Sequence, residues 1–252
     1  VIPVGYLGEE SQEITLSSDA PEGIQTIEIE NERQTGSAKI VKIDAVTGEK
    51  LADAQFKLVN KTTGQEYTFT TDENGEIVEE VPFGEYTVEE ITAPKGYRIT
   101  KDIDNITIEI DETTEIVVAN EAIVEVAGQK SWFDSSDKNR PETITVELLA
   151  NGTKVDEQEV SAENDWTYSF TNLDKYDGNG EEIKYSIEEV TVDGYVSQKD
   201  GFNLTNIETI NISGEKSWVE VDEQYRPESI TVNLLANGEQ EDTVEVSNET
   251  DW

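Results

Sequence analysis

Lysine, glutamate and asparagine recur on strand faces that are otherwise apolar, and these three residue types together could carry out amide chemistry. Residues i, i+2 and i+4 of a β-strand share one face. This alternation puts Lys42 on the face of Ala38 and Ile40. It also puts Glu90 and Asn120 on the apolar faces of two later segments. Burying an unpaired ammonium or carboxylate is costly, so we expect these groups to pair, to lose their charge or to react.

A second set of the same three residue types lies further along the chain. Lys130 shares a face with Val124 and Val126. Glu189 and Asn206 lie on the apolar faces of two other alternating segments. In both sets, the acidic residue directly before the glutamate falls on the opposite face. One polar residue of each type therefore points towards each apolar interior.

The three residue types suggest a covalent crosslink, although other interpretations fit the same alternation. Desolvation lowers the pKa of a lysine and raises that of a glutamate. A neutral amine is a nucleophile, and a protonated glutamate can donate a hydrogen bond to an asparagine carbonyl and polarise it. Attack on the side-chain amide with loss of ammonia would leave a Lys–Asn isopeptide bond. The alternatives are a buried Lys–Glu ion pair with an asparagine hydrogen bond, and strand-end residues that snorkel to solvent.

The composition excludes several functional classes. The 252 residues include 57 acidic and 18 basic side chains, a formal net charge of −39, and no histidine, cysteine or methionine. Histidine- and cysteine-based nucleophile chemistry, ordinary zinc, haem and iron–sulfur ligation and disulfides are therefore excluded. The negative charge argues against binding to nucleic acid or anionic lipid. We therefore expect no cofactor and no metal. We also expect no membrane insertion, because no run of about 18 apolar residues occurs.

Internal repeats organise the chain. The segment 124–152 returns from Ile210 onward. Lysine, tryptophan and proline landmarks keep one offset between the two copies, namely Lys130 with Lys216, Trp132 with Trp218 and Pro141 with Pro227. A constant offset of about 86 residues is the signature of tandem domains. Further upstream, residues 2–32 resemble residues 93–121.

These repeats predict two complete domains and parts of two others. The complete domains are 36–121 and 124–207, the end of a preceding domain is 1–33, and the first half of a following domain is 209–252. The linkers are only a few residues long, as at Glu121-Ala122, and we expect them to stiffen the array.

Two single residues occupy positions whose partners this sequence lacks. Asn31 takes the acceptor position of the preceding domain, and Lys216 takes the donor position of the following one. We therefore expect neither to form an intramolecular bond, and we expect the sequence to be a window onto a longer chain. The 209–252 half-domain should lack the strands that cover the Lys216 segment.

The fold class follows from short alternating segments bounded by turn residues. Asn-Gly pairs at 74–75, 151–152 and 237–238 are hairpin signals. Only Lys50–Ala54 and its neighbours indicate irregular structure. Several short strands in fewer than about 90 residues predict all-β, antiparallel sandwiches arranged end to end.

Two other candidate sites have simpler interpretations. The segment 174–182 is rich in aspartate, asparagine and glycine, but it lacks the spacing of an EF-hand loop, so we favour a turn over a calcium site. Aromatic platforms for sugars are a second candidate. We favour packing in the core or between domains for these tryptophans, which are Trp132, Trp166, Trp218 and Trp252.

The motifs resemble a known family of surface-protein domains. Residues 124–207 combine Lys-Ser-Trp, Arg-Pro, Leu-Leu-Ala-Asn-Gly and a closing Leu-x-Asn, and they resemble the Cna B-type domain of Gram-positive surface adhesins. Residues 36–121 resemble its SpaA-like pilin variant. The resemblance of this variant rests on Lys42-Ile43-Asp44, Ala54-Gln55-Phe56, Gly84-Glu85-Tyr86, Glu90, Ala93-Pro94-Lys95-Gly96-Tyr97 and Val118-Ala119-Asn120.

The resemblance implies a seven-stranded prealbumin-like or Ig-like sandwich with a spontaneous isopeptide bond between its first and last strands. It implies no enzyme activity on an external substrate. It assigns the two bonded residues and the catalytic glutamate to Lys42, Asn120 and Glu90 in the first domain and to Lys130, Asn206 and Glu189 in the second.

The function expected from the sequence is structural. The chain is interpreted as a stalk segment of a cell-wall-anchored adhesin or pilus-like fibre, located outside the cell. Its partners would be neighbouring repeats, with a host matrix or cell-surface ligand bound by domains beyond this segment. The alternative is a module that itself binds host matrix protein or glycan, for which an exposed apolar patch of more than a few hundred Å² would be the sign.

Overall fold

The computed structural model describes residues 5–8, 31–99, 103–219 and 223–250, and within them the regular structure is almost entirely β. The strands are β1 (Tyr6–Leu7), β2 (Glu32–Arg33), β3 (Thr35–Asp44), β4 (Gln55–Asn60), β5 (Glu66–Thr70), β6 (Glu76–Pro82), β7 (Gly84–Thr92), β8 (Tyr97–Arg98), β9 (Ile103–Ile108), β10 (Thr113–Phe133), β11 (Thr143–Ala150), β12 (Thr153–Ser161), β13 (Thr167–Asp174), β14 (Tyr185–Glu189), β15 (Tyr195–Asp200), β16 (Asn203–Glu208), β17 (Ser229–Ala236) and β18 (Glu239–Ser247).

Helical structure in the described ranges is limited to single 3₁₀ turns. These are Asp137–Asn139, Ala162–Asn164, Glu223–Tyr225 and Asn248–Thr250. None of the described helices is long and apolar enough to cross a membrane.

The first sandwich is formed by β3–β9 and the beginning of β10. In one sheet, β3 lies between β6 and β10, and the other sheet has the order β5-β4-β7-β9. Alternating residues of both sheets form one hydrophobic core, which includes Ile40, Phe56, Leu58 and Tyr86. Each of these side chains is at most 1% exposed, so the alternation in the sequence does bury one face of each strand.

The second sandwich is formed by the end of β10 and by β11–β16. One sheet contains β15, β16, β10 and β13, and the other has the order β12-β11-β14. Its core includes Val146, Leu148, Ile187 and Leu204 and shares no residue with the first core. The sequence-based expectation of all-β sandwiches is confirmed.

One strand serves both sandwiches. β10 is 21 residues long. Its residues 113–120 pair in parallel with β3, and its residues 130–133 pair in parallel with β16. The sequence predicts a short linker at Glu121-Ala122, but the structure places both residues inside this strand, where they pair with β8. The first and last strands of each sandwich are therefore direct neighbours.

Two of the three Asn-Gly pairs that the sequence marks as hairpin turns have the backbone that hairpins require. The prediction is wrong for Asn74-Gly75, because the flanking strands β5 and β6 lie in different sheets and only the glycine of this pair has a positive φ. Asn151 and Gly152 have φ angles of 50° and 81°, and Asn237 and Gly238 have 54° and 90°. Positive φ at both central residues is typical of a type I′ turn. These turns join β11 to β12 and β17 to β18. The Lys50–Ala54 segment is not part of a regular strand, as the sequence indicates.

The last described hairpin lacks the surroundings that its counterpart has in the second sandwich. β17 and β18 pair with each other and, within the described residues, with no other strand. Leu234 corresponds in the repeat to the fully buried Leu148, yet it is 39% exposed. The described residues 209–219 contain no strand. Within the described residues, this hairpin is therefore not covered by a second sheet.

Gly128 allows the first and last strands of the second sandwich to approach closely. A Cβ atom at this position would lie 1.8 Å from the carbonyl oxygen of Phe202 and 2.7 Å from the hydroxyl of Tyr168. Backbone atoms cannot yield as flexible side chains do, so a methyl group must push the strands apart.

We expect Gly128→Ala to lower the free energy of unfolding of the second sandwich by about 1–3 kcal/mol, because it overpacks a backbone contact. Denaturant unfolding of the full chain, followed by tryptophan fluorescence, measures this change. Gly178→Ala is the matched control, since a Cβ atom at Gly178 would meet nothing within 4 Å. Equal stability of the two variants would show that the strand contact does not limit packing.

Candidate functional site

The first candidate site joins three strands in the interior of the first sandwich. Lys42 extends from β3, Glu90 from β7 and Asn120 from β10. The lysine Nζ lies 3.2 Å from Oε2 of Glu90, and Nδ2 of Asn120 donates a 2.8 Å hydrogen bond to Oε1 of the same carboxylate. Lys42 and Asn120 are 0% exposed and Glu90 is 4% exposed. A single carboxylate therefore contacts both the amine and the amide.

The strand register brings the amine and the amide together. Lys42 is paired with Val118, and Asn120 is paired with Asp44. Residues that are offset by two positions on neighbouring strands are diagonal neighbours on the same face. The lysine Nζ also donates a 3.4 Å hydrogen bond to the Val118 carbonyl, which holds the side chain along the asparagine strand.

The second candidate site repeats this arrangement. Nζ of Lys130 lies 3.6 Å from Oε1 of Glu189, and Nδ2 of Asn206 donates a 3.0 Å hydrogen bond to the same oxygen. Lys130 and Asn206 are 2% and 1% exposed, and the Glu189 side chain is 2% exposed. The amine also lies 4.0 Å from the ring centroid of Trp132, which covers it.

Burial shifts both amines towards the neutral form. Desolvation lowers the pKa of Lys42 below its ordinary value, although the charge of Glu90 and a hydrogen bond to it act in the opposite direction. Desolvation lowers the pKa of Lys130 to about 8, again against the opposing effect of Glu189. Burial thus favours the nucleophilic form of each amine.

Each asparagine side chain is oriented so that its amide nitrogen, the atom that would leave as ammonia, faces the glutamate. The carbonyl oxygens of Asn120 and Asn206 are buried and accept no hydrogen bond. Each amide nitrogen instead points at the carboxylate, which could deliver a proton to it. Rotation of the amide by a half turn would present the carbonyl oxygen to the same carboxyl group. In either orientation the glutamate carboxyl lies beside an atom that needs it: the nitrogen that is protonated as it leaves, or the oxygen that becomes negative during the attack.

The glutamates that precede the site residues point away from the interior, as the alternation predicts. Glu89 is partly exposed and forms a 2.7 Å ion pair with Lys57 on the outer face. Glu188 is exposed. The two sandwiches therefore use only one acidic residue of each adjacent pair in the interior.

Asn31 and Lys216, whose partners the sequence lacks, do not form part of such a triad within the described residues. Asn31 is exposed and precedes β2. Lys216 is partly exposed, its Nζ donates a 2.5 Å hydrogen bond to the Ser217 carbonyl, and it lies 4.0 Å from the Trp218 ring centroid. The lysine thus has the same aromatic neighbour as its counterpart Lys130 but lies outside any enclosed core.

The other candidate sites are occupied by structural contacts. Trp132 packs edge-on against Trp166 and Tyr195, with ring centroids 5.2 and 4.9 Å apart. Trp252 lies outside the described residues. In the 174–182 segment, the Asp177 carboxylate accepts hydrogen bonds from the backbone amides of residues 179 and 181. This segment is therefore a turn, as the sequence indicates. No group of three acidic residues suited to a metal ion occurs among the residues that the structure describes.

Comparison with family models covers most of the chain. Residues 126–207 and 212–252 match the family described as the Cna protein B-type domain. Residues 36–122 match the SpaA family, described as a prealbumin-like fold domain. A collagen adhesin of Staphylococcus aureus is 36% identical over 251 residues, an alignment that covers 86% of this chain and 21% of that protein. The chain therefore spans about a fifth of the length of this relative.

Similar solved structures come from surface proteins and pilins. A structure of two B repeat units of the collagen-binding protein Cna of Staphylococcus aureus is 25% identical, with a TM-score of 0.35, and the match covers 100% of this chain and 68% of that one. A streptococcal ancillary pilin is 18% identical, with a TM-score of 0.37 and coverage of 72% and 65%.

Proposed function

This chain belongs to the Cna B-type family, with a SpaA-type prealbumin-like domain in the same array, and from this we propose that it is a structural stalk segment of a surface adhesin or pilus-like fibre. Its sandwiches are locked by Lys–Asn isopeptide bonds that they form themselves. The observation that carries the proposal is the Lys–Glu–Asn triad, which occurs twice in a buried position. Each time, the lysine and asparagine come from the paired first and last strands of a sandwich and the glutamate comes from the opposite sheet.

The proposed reaction balances without a cofactor. The neutral Nζ of Lys42 attacks the side-chain amide carbon of Asn120, and a new C–N bond forms. Glu90 takes up a proton from the attacking amine and returns a proton to Nδ2, which leaves as ammonia. Glu189 has the same role between Lys130 and Asn206. Glu90 and Glu189 are general acid–base groups, since each contacts both reacting side chains.

The buried ion pair alone is a weaker explanation of the triads. Replacing a buried charged pair by apolar residues is often neutral or stabilising, so such a pair is poor evidence for a purely stabilising role. The asparagine amide beside the same carboxylate is a further buried polar group. A hydrophobic residue in its place would stabilise the core equally well. A reaction that uses all three groups accounts for their joint presence.

We further propose the domain boundaries. Residues 36–121 and 124–207 are the two complete domains, 1–33 belongs to a preceding domain, and 209–252 belongs to a following one. In this scheme the chain lies outside the cell at the cell wall, and its direct partners are neighbouring repeats of the same protein. A host ligand would be bound by other domains.

An intact-mass measurement of the purified wild-type chain tests the proposal. We expect a mass that is lower than the sequence mass by two molecules of ammonia, one for each triad. Peptide mapping should locate the two losses at Lys42–Asn120 and Lys130–Asn206. A mass equal to that of the unmodified sequence would exclude the crosslinks.

A further inference from the structure

A Gly-Tyr pair follows the glutamate strand in each sandwich, and the proposed reaction does not explain it. The pairs are Gly96-Tyr97 and Gly194-Tyr195. In both sandwiches the tyrosine contacts the region that follows the lysine, and the glycine contacts the region that follows the asparagine. The contacts are made by equivalent atoms in the two sandwiches, although the lysine-side loops differ in sequence.

In the first sandwich, the tyrosine hydroxyl holds the end of the lysine strand. The Tyr97 hydroxyl donates a 3.0 Å hydrogen bond to Oδ2 of Asp44, which lies two residues after Lys42. Asp44 is 2% exposed. Its Oδ1 atom accepts hydrogen bonds from the backbone amides of Val46 and Thr47 at 2.7 and 2.8 Å. These hydrogen bonds lower the pKa of Asp44 despite its burial. The hydroxyl therefore binds a fixed carboxylate.

In the second sandwich, the same contact is made with a different aspartate. The Tyr195 hydroxyl donates a 3.1 Å hydrogen bond to Oδ2 of Asp134, four residues after Lys130. The Asp134 side chain is 2% exposed, and Arg140 binds both of its oxygens at 2.7 Å. The loop supplies an arginine here, where the first sandwich supplies backbone amides. The tyrosine–aspartate bond is the shared element.

The glycine carbonyl holds the strand that leaves the asparagine. The backbone amide of Ile123 donates a 2.8 Å hydrogen bond to the Gly96 carbonyl, three residues after Asn120. The backbone amide of Thr209 donates a 2.8 Å hydrogen bond to the Gly194 carbonyl, three residues after Asn206.

The same glycine contact occurs at the upstream end of the described chain. The backbone amide of Gln34, three residues after Asn31, donates a 2.8 Å hydrogen bond to the Gly5 carbonyl. Gly5 precedes Tyr6 in the chain, so it belongs to a third Gly-Tyr pair. The contact therefore recurs with the same spacing from three asparagines.

We propose that each Gly-Tyr pair is a clamp that positions the lysine and the asparagine for crosslinking. The clamp ties the end of the lysine strand and the exit of the asparagine strand to one dipeptide, so the two reacting strands cannot slide or separate. Tyr97, Asp44, Tyr195 and Asp134 are positioning residues and touch no reacting atom. A misplacement of about 1 Å can slow a reaction by roughly 10²-fold, so such a clamp affects rate strongly. This inference rests on the proposed function.

Bond formation can be timed in each sandwich separately. The full chain is made by cell-free synthesis with a short labelling pulse, samples are quenched in denaturant, and mass spectrometry of proteolytic peptides counts each crosslink. We expect Tyr97→Phe to slow the Lys42–Asn120 bond by about tenfold, since a hydrogen bond to a charged group is lost. The Lys130–Asn206 bond in the same molecules should keep its wild-type rate. Tyr195→Phe should give the reverse result.

Two further variants separate positioning from general stability. Asp44→Ala should slow the first bond, whereas Asp44→Asn should restore it, because an amide can accept the two backbone hydrogen bonds and donate to the tyrosine oxygen. Tyr86→Phe is the matched control: the Tyr86 hydroxyl donates a 2.6 Å hydrogen bond to the Pro82 carbonyl, away from the clamp. Its loss should leave the rate unchanged.

The outcomes distinguish the clamp from the proposed function. Equal rates in wild type, Tyr97→Phe and Tyr195→Phe would overturn the clamp while leaving the isopeptide bonds in place. An equal slowing by Tyr86→Phe would also overturn it, because fold stability would then explain the effect. A wild-type chain without either bond would overturn the proposed function, and the clamp with it.

Discussion

Glu90→Ala is expected to abolish the Lys42–Asn120 bond and to leave the Lys130–Asn206 bond intact. Glu90 contacts both reacting side chains, and within the described residues no other carboxylate forms an ion pair with Lys42. The intact mass of this variant should therefore be lower than its sequence mass by one molecule of ammonia instead of two. Peptide mapping should assign the remaining loss to the second sandwich.

The same variant should lose a large part of the stability of the first sandwich. The bond closes a loop of roughly 80 residues, and loop closure of this size by a disulfide contributes about 4–5 kcal/mol in the chain-entropy model. The buried Lys42 amine would also lose its carboxylate partner. Calorimetry of the full chain should show one sandwich unfolding at a much lower temperature and the other unchanged.

Glu89→Ala is the control for this substitution. Glu89 is the adjacent glutamate, but it lies on the outer face in an ion pair with Lys57. Ion pairs at the protein surface contribute at most about 1 kcal/mol, so this variant should keep both crosslinks and nearly all of its stability. If Glu90→Ala still formed the first bond, the acid–base role of the buried glutamate would be refuted.

Crosslinked sandwiches are expected to resist extension under a pulling force. Load that enters through β3 passes at Lys42 to Asn120, continues along β10 to Lys130, and passes there to Asn206. Residues 43–119 and 131–205 lie outside this path. At about 3.3–3.6 Å per extended residue, each crosslink withholds roughly 250 Å of chain from extension.

Single-molecule pulling of the full chain between its termini measures this effect. The wild-type chain should show no unfolding step of that length for either sandwich. Asn120→Ala should restore one such step, and the double variant with Asn206→Ala should restore two. A full-length step in the wild type, in molecules whose mass shows both bonds, would contradict the proposed load path.

The positions of the three triad residues could be predicted from the sequence because alternation is strict in these strands. Each sandwich buries one face per strand. A lysine that follows two buried apolar residues at steps of two positions, as Lys42 follows Ala38 and Ile40, therefore points inward. The separation of Glu90 from the outward-facing Glu89 follows from the same rule. Alternation alone does not specify the number of strands, and the family resemblance implies seven. The second sandwich has these seven strands, β10–β16, whereas the first has eight, β3–β10, one of which is the two-residue β8.

The clamp could not be predicted in this way. The Tyr97 hydroxyl and Asp44 are separated by 53 positions, and their contact depends on a loop that no periodic pattern describes. The aspartate stands two residues after the lysine in one sandwich and four residues after it in the other, so aligned spacing does not indicate it. The signal that was available is the Gly-Tyr pair itself, which recurs in the repeats without an assigned role.

The continuity of β10 has a consequence for how such arrays lengthen during evolution. Asn120 and Lys130 face inward from a single strand, although they belong to different sandwiches. Because side chains alternate with a period of two, inserting one residue between them would turn one of the two to solvent. Recombination between repeats would therefore preserve both sandwiches only when it retains the even spacing of this strand.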